Sequence, residues 1–217
     1  MDSHLNEVEV RVLGSLIEKE LTTPDNYPLS LNALTNACNQ TSNRDPIALY
    51  EESTVARAIE TLRVRSLVRT VQQSGSRVSK YRHLMNETLG LVTRQTALLC
   101  VLMLRGPQTL GELKTRTERL AGFDSLDEVE GVLDQLIARQ PSALVSRLER
   151  RPGQKEARFA HLLSGEVAFD ARDQEAEPVE ERSRLDRVGA LEAALDELRK
   201  EVADLQKQFD AFRKQFE

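Results

Sequence analysis

Tryptophan is absent from this 217-residue chain, and aromatic residues make up only 4% of it. A sandwich core built on large rings is not expected. A charged fraction of 30% fits a helix-rich protein instead. Cysteine is equally scarce. Cys38 and Cys100 are the only two, and both lie in apolar helical contexts. They are too few for a disulfide framework and lack the paired spacing of a zinc site. Both are expected as buried thiols that pack like small hydrophobes in a reduced cytosolic interior.

The three histidines, His4, His83 and His161, are too scattered to hold a metal. No glycine-rich phosphate loop of the Walker or dinucleotide type is present. The carboxylate pairs Glu180-Glu181 and Asp196-Glu197 fall in an acidic linker or on the outside of a helix. The chain is therefore expected to be no enzyme and to need no metal and no cofactor. No apolar run approaches the ~18 residues of a membrane span. Met1–His4 lacks the basic and apolar regions of a secretory leader. A soluble, cytoplasmic protein without a membrane partner is the expectation.

What the chain does have is helical periodicity, twice over. Asn6 to Leu21 reads as a helix with Val8, Val12, Leu13, Leu16 and Ile17 on one face, ended at Pro24. Ser30 is placed to cap a second helix from Leu31 to about Asn39. A third helix follows Glu51, with Val55, Ala58, Ile59 and Leu62 recurring at i, i+3, i+4 and i+7. Two β-rich runs, Leu67–Gln72 and Val78–His83, flank the turn-forming Ser74-Gly75-Ser76. The order then repeats. Arg94–Leu104 is apolar, Thr109-Leu110-Gly111-Glu112 is a capping box, and Leu126–Arg139 carries Val129, Val132, Leu133 and Leu136. Leu144–Glu149 and Glu156–Leu163 are strands about Arg151-Pro152-Gly153-Gln154. Pro28-Leu29-Ser30-Leu31 matches Pro107-Gln108-Thr109-Leu110, and Lys80–Leu84 matches Arg158–Leu162, at offsets of 79 and 78. His83 and His161 share a place in the two copies. That points to a structural hydrogen bond closing each sheet rather than to a ligand role.

From Ser164 the composition changes. Lys and Arg against Asp and Glu number 10 and 10 in residues 1–86, 11 and 10 in 87–163, and 9 and 15 in 164–217. The acidity thus belongs to the tail. Val188, Leu191, Leu195, Leu198, Val202, Leu205, Phe209, Phe212 and Phe216 alternate by three and four, as a coiled-coil seam does. Self-association would cover that seam, and so would folding back on the domains. The expected fold is mainly α with small β wings. It comprises two tandem winged helix-turn-helix domains, residues 1–86 and 87–163, each burying its own core. An acidic linker, 164–182, and a C-terminal coiled-coil helix, 183–217, follow.

The segment Leu13–Lys19, with Thr22-Thr23-Pro24, Tyr27–Ser30, Ala37–Gln40 and Ser42–Pro46, resembles the YceH family of bacterial proteins. Leu104-Arg105-Gly106, Gly111-Glu112-Leu113 and His161-Leu162 continue the likeness over about residues 5–166. The resemblance implies a tandem winged-helix fold. It brings no established activity and no functional residues.

A third helix followed by a basic hairpin is where such a domain would read DNA. Arg57, Arg63, Arg65, Arg69, Arg77, Lys80 and Arg82 line this stretch, against Glu60 alone after position 52. At 100° per residue, Ser53, Arg57, Glu60 and Val64 face outward with Thr61 beside them. Arg57 can bond guanine edges, and Ser53 or Thr54 can reach phosphate or base. Arg63, Arg65, Arg77 and Lys80 would hold phosphates. The second copy carries Asp127, Gly131, Asp134 and Gln135 on the matching face, with Gly131 where Arg57 stands. That suits packing on the first domain or on a partner better than a phosphate backbone, although its wing (Arg147, Arg150, Arg151, Lys155 and Arg158) is basic and could add phosphate contacts. Two further readings stay open. Asn43 and Arg44, in the long connection before the third helix, form either a binding loop or an internal pairing. The whole protein is either a dimeric DNA-binding regulator on double-stranded DNA or an interaction scaffold without DNA. The scaffold reading draws on the fold-level analogy with accessory subunits of chromosome-organising complexes.

Overall fold

The structure, a computed structural model, describes residues 4–72, 78–150 and 156–165. The two expected hairpin turns, Arg77, nearly all of the linker and the coiled-coil seam lie outside the described residues.

The chain is mainly helical, with two small antiparallel sheets. Helix α1 (Glu7–Thr22) begins at a full capping box. The Asn6 side chain accepts from the Glu9 backbone N–H at 2.9 Å, while the Glu9 carboxylate accepts from the Asn6 N–H at 3.0 Å. Every residue from Glu9 to Glu18 is buried. A helix buried all round must sit inside the molecule rather than on its surface. α2 (Leu31–Cys38), α3 (Glu52–Val64) and α5 (Thr93–Arg105) all pack against it.

α3 has its expected apolar stripe. Val55, Ala58, Ile59 and Leu62 are all at most 5% exposed. The helix ends in a Schellman turn, with Leu67 N–H to Leu62 O at 2.9 Å and Ser66 N–H to Arg63 O at 3.0 Å. Ser66 takes the left-handed conformation (φ 58°) that glycine usually supplies there. This turn feeds the chain into β2 (Val68–Val71), which pairs with β3 (Lys80–His83) in the register Val68↔His83, Arg69↔Arg82, Thr70↔Tyr81 and Val71↔Lys80. A third strand, β1 (Leu29–Ser30), joins the far edge of β3 through Leu29↔Tyr81 and Ser30↔Lys80. Two residues beside a proline carry no alternating pattern, so this strand has no sequence signal; its partner across the sheet creates it. Helix α4 (Met85–Leu89) was likewise without a sequence signal.

The second half repeats the order of three helices followed by two paired strands. After α5 come α6 (Leu110–Thr117), α7 (Leu126–Ile137), β4 (Val145–Arg147) and β5 (Phe159–His161). Thr109 caps α6 in the expected box with Glu112, and the bridge Gln108↔Phe159 occupies the place that Leu29↔Tyr81 holds in the first half. The β4–β5 ladder is only three residues a side, shorter than the runs expected from Leu144 and Glu156. Val132, expected inward on α7, is only half-buried.

The halves do not bury separate cores. Both lie within one compact unit, Met1–Val167, and their buried apolar residues form a single cluster. The expected boundary at 86/87 divides repeats, not cores; Met85, beside it, is fully buried. α1 and α5 approach so closely that a Cβ on Gly14 would sit 2.9 Å from Leu104 Cδ2, 3.0 Å from its Cγ and 3.3 Å from Met103 Cβ. The Cys100 thiol donates to Gly14 O at 3.4 Å in this same seam. Cys38 and Cys100 are both free and fully buried. Burial pushes the Cys38 thiol up to about 11 and raises that of Cys100 as well. Among the described residues no helix is long and apolar enough to cross a membrane.

The paired histidines have diverged. His83 Nδ1 accepts from the Met85 N–H at 3.2 Å, and its Nε2 lies 2.6 Å from the Glu20 carboxylate. That hydrogen bond holds the Glu20 carboxyl below its ordinary range. The His83 backbone N–H also donates to the Tyr27 hydroxyl at 2.8 Å. His161 has no such support: its Nδ1 is buried without a partner, and burial lowers its pKa to about 4.

Gly14→Val should destabilise the fold by about 1–3 kcal/mol through overpacking of the α1–α5 seam, read as a shift of the urea midpoint. A second test concerns His161. Unfolded chains protonate this histidine near pH 6.5, whereas the fold keeps it neutral down to about 4. Its contribution is therefore complete above pH 6.5 and is lost as pH falls toward 4. Between pH 7 and 5 the wild type should lose about 1–2 kcal/mol more stability than His161→Leu, at 1.36 kcal/mol per pK unit; parallel pH profiles would refute this.

Candidate nucleic-acid interface

The outer face of α3 is set by its inner one. Since the Val55–Leu62 stripe is buried, the opposite positions point to solvent, and Ser53, Arg57, Glu60, Thr61 and Val64 are all exposed. Thr54 is half-buried at the rim. Arg57 stands in the middle of this face. Among the described residues its one side-chain contact is a long 3.4 Å hydrogen bond to the Thr54 hydroxyl. Ser53 donates to Glu51 at 3.4 Å, and the Thr61 hydroxyl donates to the Arg57 carbonyl at 3.3 Å. These hydroxyls are oriented by their own helix yet remain at the surface.

Arg63 differs from Arg57. Its Nη1 contacts both Glu60 carboxylate oxygens, at 2.9 and 2.7 Å. An exposed pair of this kind contributes little to stability, but it cancels the charge that Arg63 would offer to a phosphate. Arg65, at the helix end, is half-buried.

The hairpin adds cations that α3 alone does not reveal. Its register puts Arg69 directly opposite Arg82, and by alternation Lys80, opposite Val71, shares that face. Arg69 is exposed, and Arg82 is paired with Glu87. Of the expected hairpin contacts, Lys80 is therefore brought to this face, while Arg69 and Arg82 lie beside it. Only the strand register, which no sequence period fixes over four residues, shows that they cluster.

Asn43 and Arg44 resolve differently from each other. Arg44 is buried, and its guanidinium holds Glu18 in a two-pronged ion pair, Nη2–Oε2 at 2.7 Å and Nη1–Oε1 at 3.1 Å. It also donates to the Ala37 carbonyl from Nε at 3.2 Å and from Nη2 at 2.8 Å. An arginine so engaged offers nothing to an outside partner, so Arg44 is internal pairing and not a binding residue. Asn43, exposed and left-handed (φ 60°), accepts from Arg105. A second buried arginine, Arg11, ties the same connection to α1, donating to Cys38 O at 3.1 Å and Pro46 O at 2.6 Å.

On the second copy the equivalent face is differently charged. Gly131, Asp127, Asp134 and Gln135 are exposed. Glu128 is paired with Arg94, and Glu130 with Arg147 at 3.4 Å. Rather than covering the first half, α7 packs chiefly on α5, α6 and β4. Arg147 also lies over the Phe159 ring, 5.6 Å from its centroid, so one of the second hairpin's cations is held within its own half. Among the described residues no cluster of three or more His, Cys, Asp or Glu is placed to hold a metal.

A family model described as "Protein of unknown function, DUF480" matches residues 5–154. The chain is similar to a UPF0502 protein of Pelobacter propionicus, 51% identical over 221 residues that cover 100% of both chains. It is also similar to UPF0502 proteins of Geobacter sulfurreducens, at 50% over 221 residues and 100% of both, and of Aliivibrio fischeri, at 46% over 206 residues and 93% and 94% of the two chains. The first two alignments extend through residues 164–217, past the point where the motif resemblance in the sequence stops.

Arg44→Ala should cost about 3–5 kcal/mol, because it leaves the Ala37 carbonyl without its guanidinium donors and the Glu18 carboxylate with only Lys19, at 3.6 Å, as a partner among the described residues. The double variant Arg44→Met with Glu18→Leu should be closer to wild type than the single one. Chemical denaturation of the three proteins checks this; equal or additive losses would contradict it.

Proposed function

Since the chain belongs to the family described as "Protein of unknown function, DUF480", a description that assigns no activity, we propose from its surface chemistry that it is a DNA-binding protein of tandem winged-helix type, with one reading head. α2 and α3 act as the helix-turn-helix, α3 enters the major groove, and the β2–β3 hairpin is the wing. The observation that carries this reading is Arg57: an exposed guanidinium at the centre of the outer face, held among the described residues only by a 3.4 Å contact to Thr54. Its charge is free to make the two-pronged contact with a guanine edge. Ser53, Thr54 and Thr61 flank it as neutral donors. Arg69 and Lys80 supply the phosphate contacts that position the domain, joined by Arg65 and Arg77, whereas Arg82 is already held by Glu87. Arg63 contributes less, because Glu60 already holds it.

The second copy is assigned no reading role. Gly131 replaces the central arginine, and the exposed Asp127 and Asp134 would repel phosphates. Those two acids favour a second reading, in which α7 presents a docking face to a protein partner. The apolar heptads from Val188 to Phe216 support self-association of the tail, which would bring two reading heads to adjacent half-sites.

Fluorescence anisotropy on sites enriched from a random DNA pool tests the proposal. Binding should fall steeply with salt, and Arg69→Ala should reduce the log–log slope by about 1. Arg57→Ala should cost about 1–3 kcal/mol and relax the selected sequence, whereas Arg63→Ala should have a smaller effect. Unchanged affinity in Arg57→Ala, or no enrichment from the pool, would remove the proposal.

A further inference from the structure

A cavity of about 460 Å³ opens where the two halves meet, between the end of α1, the connection after α2, the end of α5 and the end of α6. Its walls bring together Lys19, Arg105, Arg116 and Arg119, against Glu18 and Glu118. The acids do not cancel the bases. Glu18 is committed to the buried Arg44, with Lys19 at 3.6 Å. Arg116 keeps Glu112 at 3.4 Å and donates to Gln108. Arg105 is the unbalanced group. It is partly buried, and its side chain reaches only the neutral amide oxygen of Asn43. Among the described residues neither Arg105 nor Arg119 is ion-paired to a carboxylate. Burial and the neighbouring Arg116 both work against the Arg105 charge and lower its pKa.

Glu112 balances Arg116 alone, so the recess still holds the Arg105 guanidinium without an ion-paired carboxylate among the described residues, and an anion bridging Arg105 and Arg116 would neutralise it. Arginine forks match the oxygens of a phosphate two at a time, and the Ser42 and Thr115 hydroxyls lining the same cavity are neutral donors for the remaining oxygens. The volume is that of a small-molecule site rather than of a bare ion. Val101, Leu104 and Leu120 form an apolar wall for the rest of such a molecule.

We propose that this cavity binds a small phosphorylated molecule, with its phosphate between Arg105 and Arg116 and with Lys19 and Arg119 at the mouth. The ligand would displace Asn43 from Arg105. Asn43 lies on the connection into α3, where the Asp45 N–H also donates to Leu104 O at 2.8 Å. Occupancy is thereby coupled to the start of α3. An effect on DNA rests on the function proposed above; binding of the ligand does not.

Isothermal titration of the full chain, at matched ionic strength, uses inorganic pyrophosphate and a nucleoside monophosphate as probes, with malonate as a dicarboxylate comparison. At least one phosphate probe should bind saturably, and at least tenfold more tightly than malonate. Arg105→Gln and Arg116→Gln should each weaken it tenfold or more. The exposed Arg119→Gln should weaken it severalfold, and Arg57→Ala should leave it unchanged. Unliganded melting curves confirm that the variants are folded; Arg119→Gln, at an exposed position, keeps the test decisive if the other two melt early. Absence of saturable binding, equal affinity for malonate, retention in all three cavity variants, or loss in Arg57→Ala would each overturn the assignment. Loss of DNA binding in Arg57→Ala with pyrophosphate binding intact would separate the two sites.

Discussion

The buried ion pair between Glu18 and Arg44 is the constraint on which the surrounding architecture turns. Glu18 belongs to α1, the helix on which α2, α3, β3 and α5 all pack. Arg44 belongs to the connection that delivers the chain to α3. A charged pair taken out of water is stable only if its remaining hydrogen-bonding capacity is used. Here the Ala37 carbonyl at the end of α2 accepts two of the spare guanidinium donors. One interaction therefore fixes the end of α2 and the path of the loop, while the Asn39 side chain, bonded to the Tyr50 N–H and carbonyl, holds the approach to α3. Arg11 repeats the device one face along, holding Cys38 and Pro46 by their carbonyls.

The α1–α5 seam extends that order to the second half. Gly14 lets the two helices approach until side chains of α5 rest on the α1 backbone. The equivalent helices of the two repeats thus become each other's main packing surface. Two units that each look self-sufficient in sequence share one apolar cluster. The proposed ligand cavity lies at this junction because the junction is where loops from one repeat meet helices from the other.

Two copies of one scaffold have taken on different chemistry. The caps and the edge pairing at Leu29 and Gln108 recur, since they answer backbone demands that any sequence must meet. The exposed positions answer to solvent and partners alone, and they diverge: Arg57 against Gly131, Glu60 and Thr61 against Asp134 and Gln135. Even the shared histidines part ways, one bonded on both ring nitrogens and the other carrying a desolvated one.

Amphipathic periodicity and capping chemistry decide the helices, their inward stripes and the repeat, because these depend on residues within a turn or two of one another. Val55, Ala58, Ile59 and Leu62 could be placed inward, and Arg57 outward, by angle alone. Capping by Ser30 and Thr109 was equally local. Contacts between distant segments were not legible. β1 exists only because Tyr81 and Lys80 lie beside it, and Arg69 and Arg82 share a face only through a four-residue register. Arg44 could be an exposed reader or an internal brace until the fold brought Glu18 to it from 26 residues away. Burial of a charge is a property of what the rest of the chain puts around it. That is why the sequence of this protein identifies the face that meets solvent, and why only its tertiary packing separates the arginines free to bind from those already engaged.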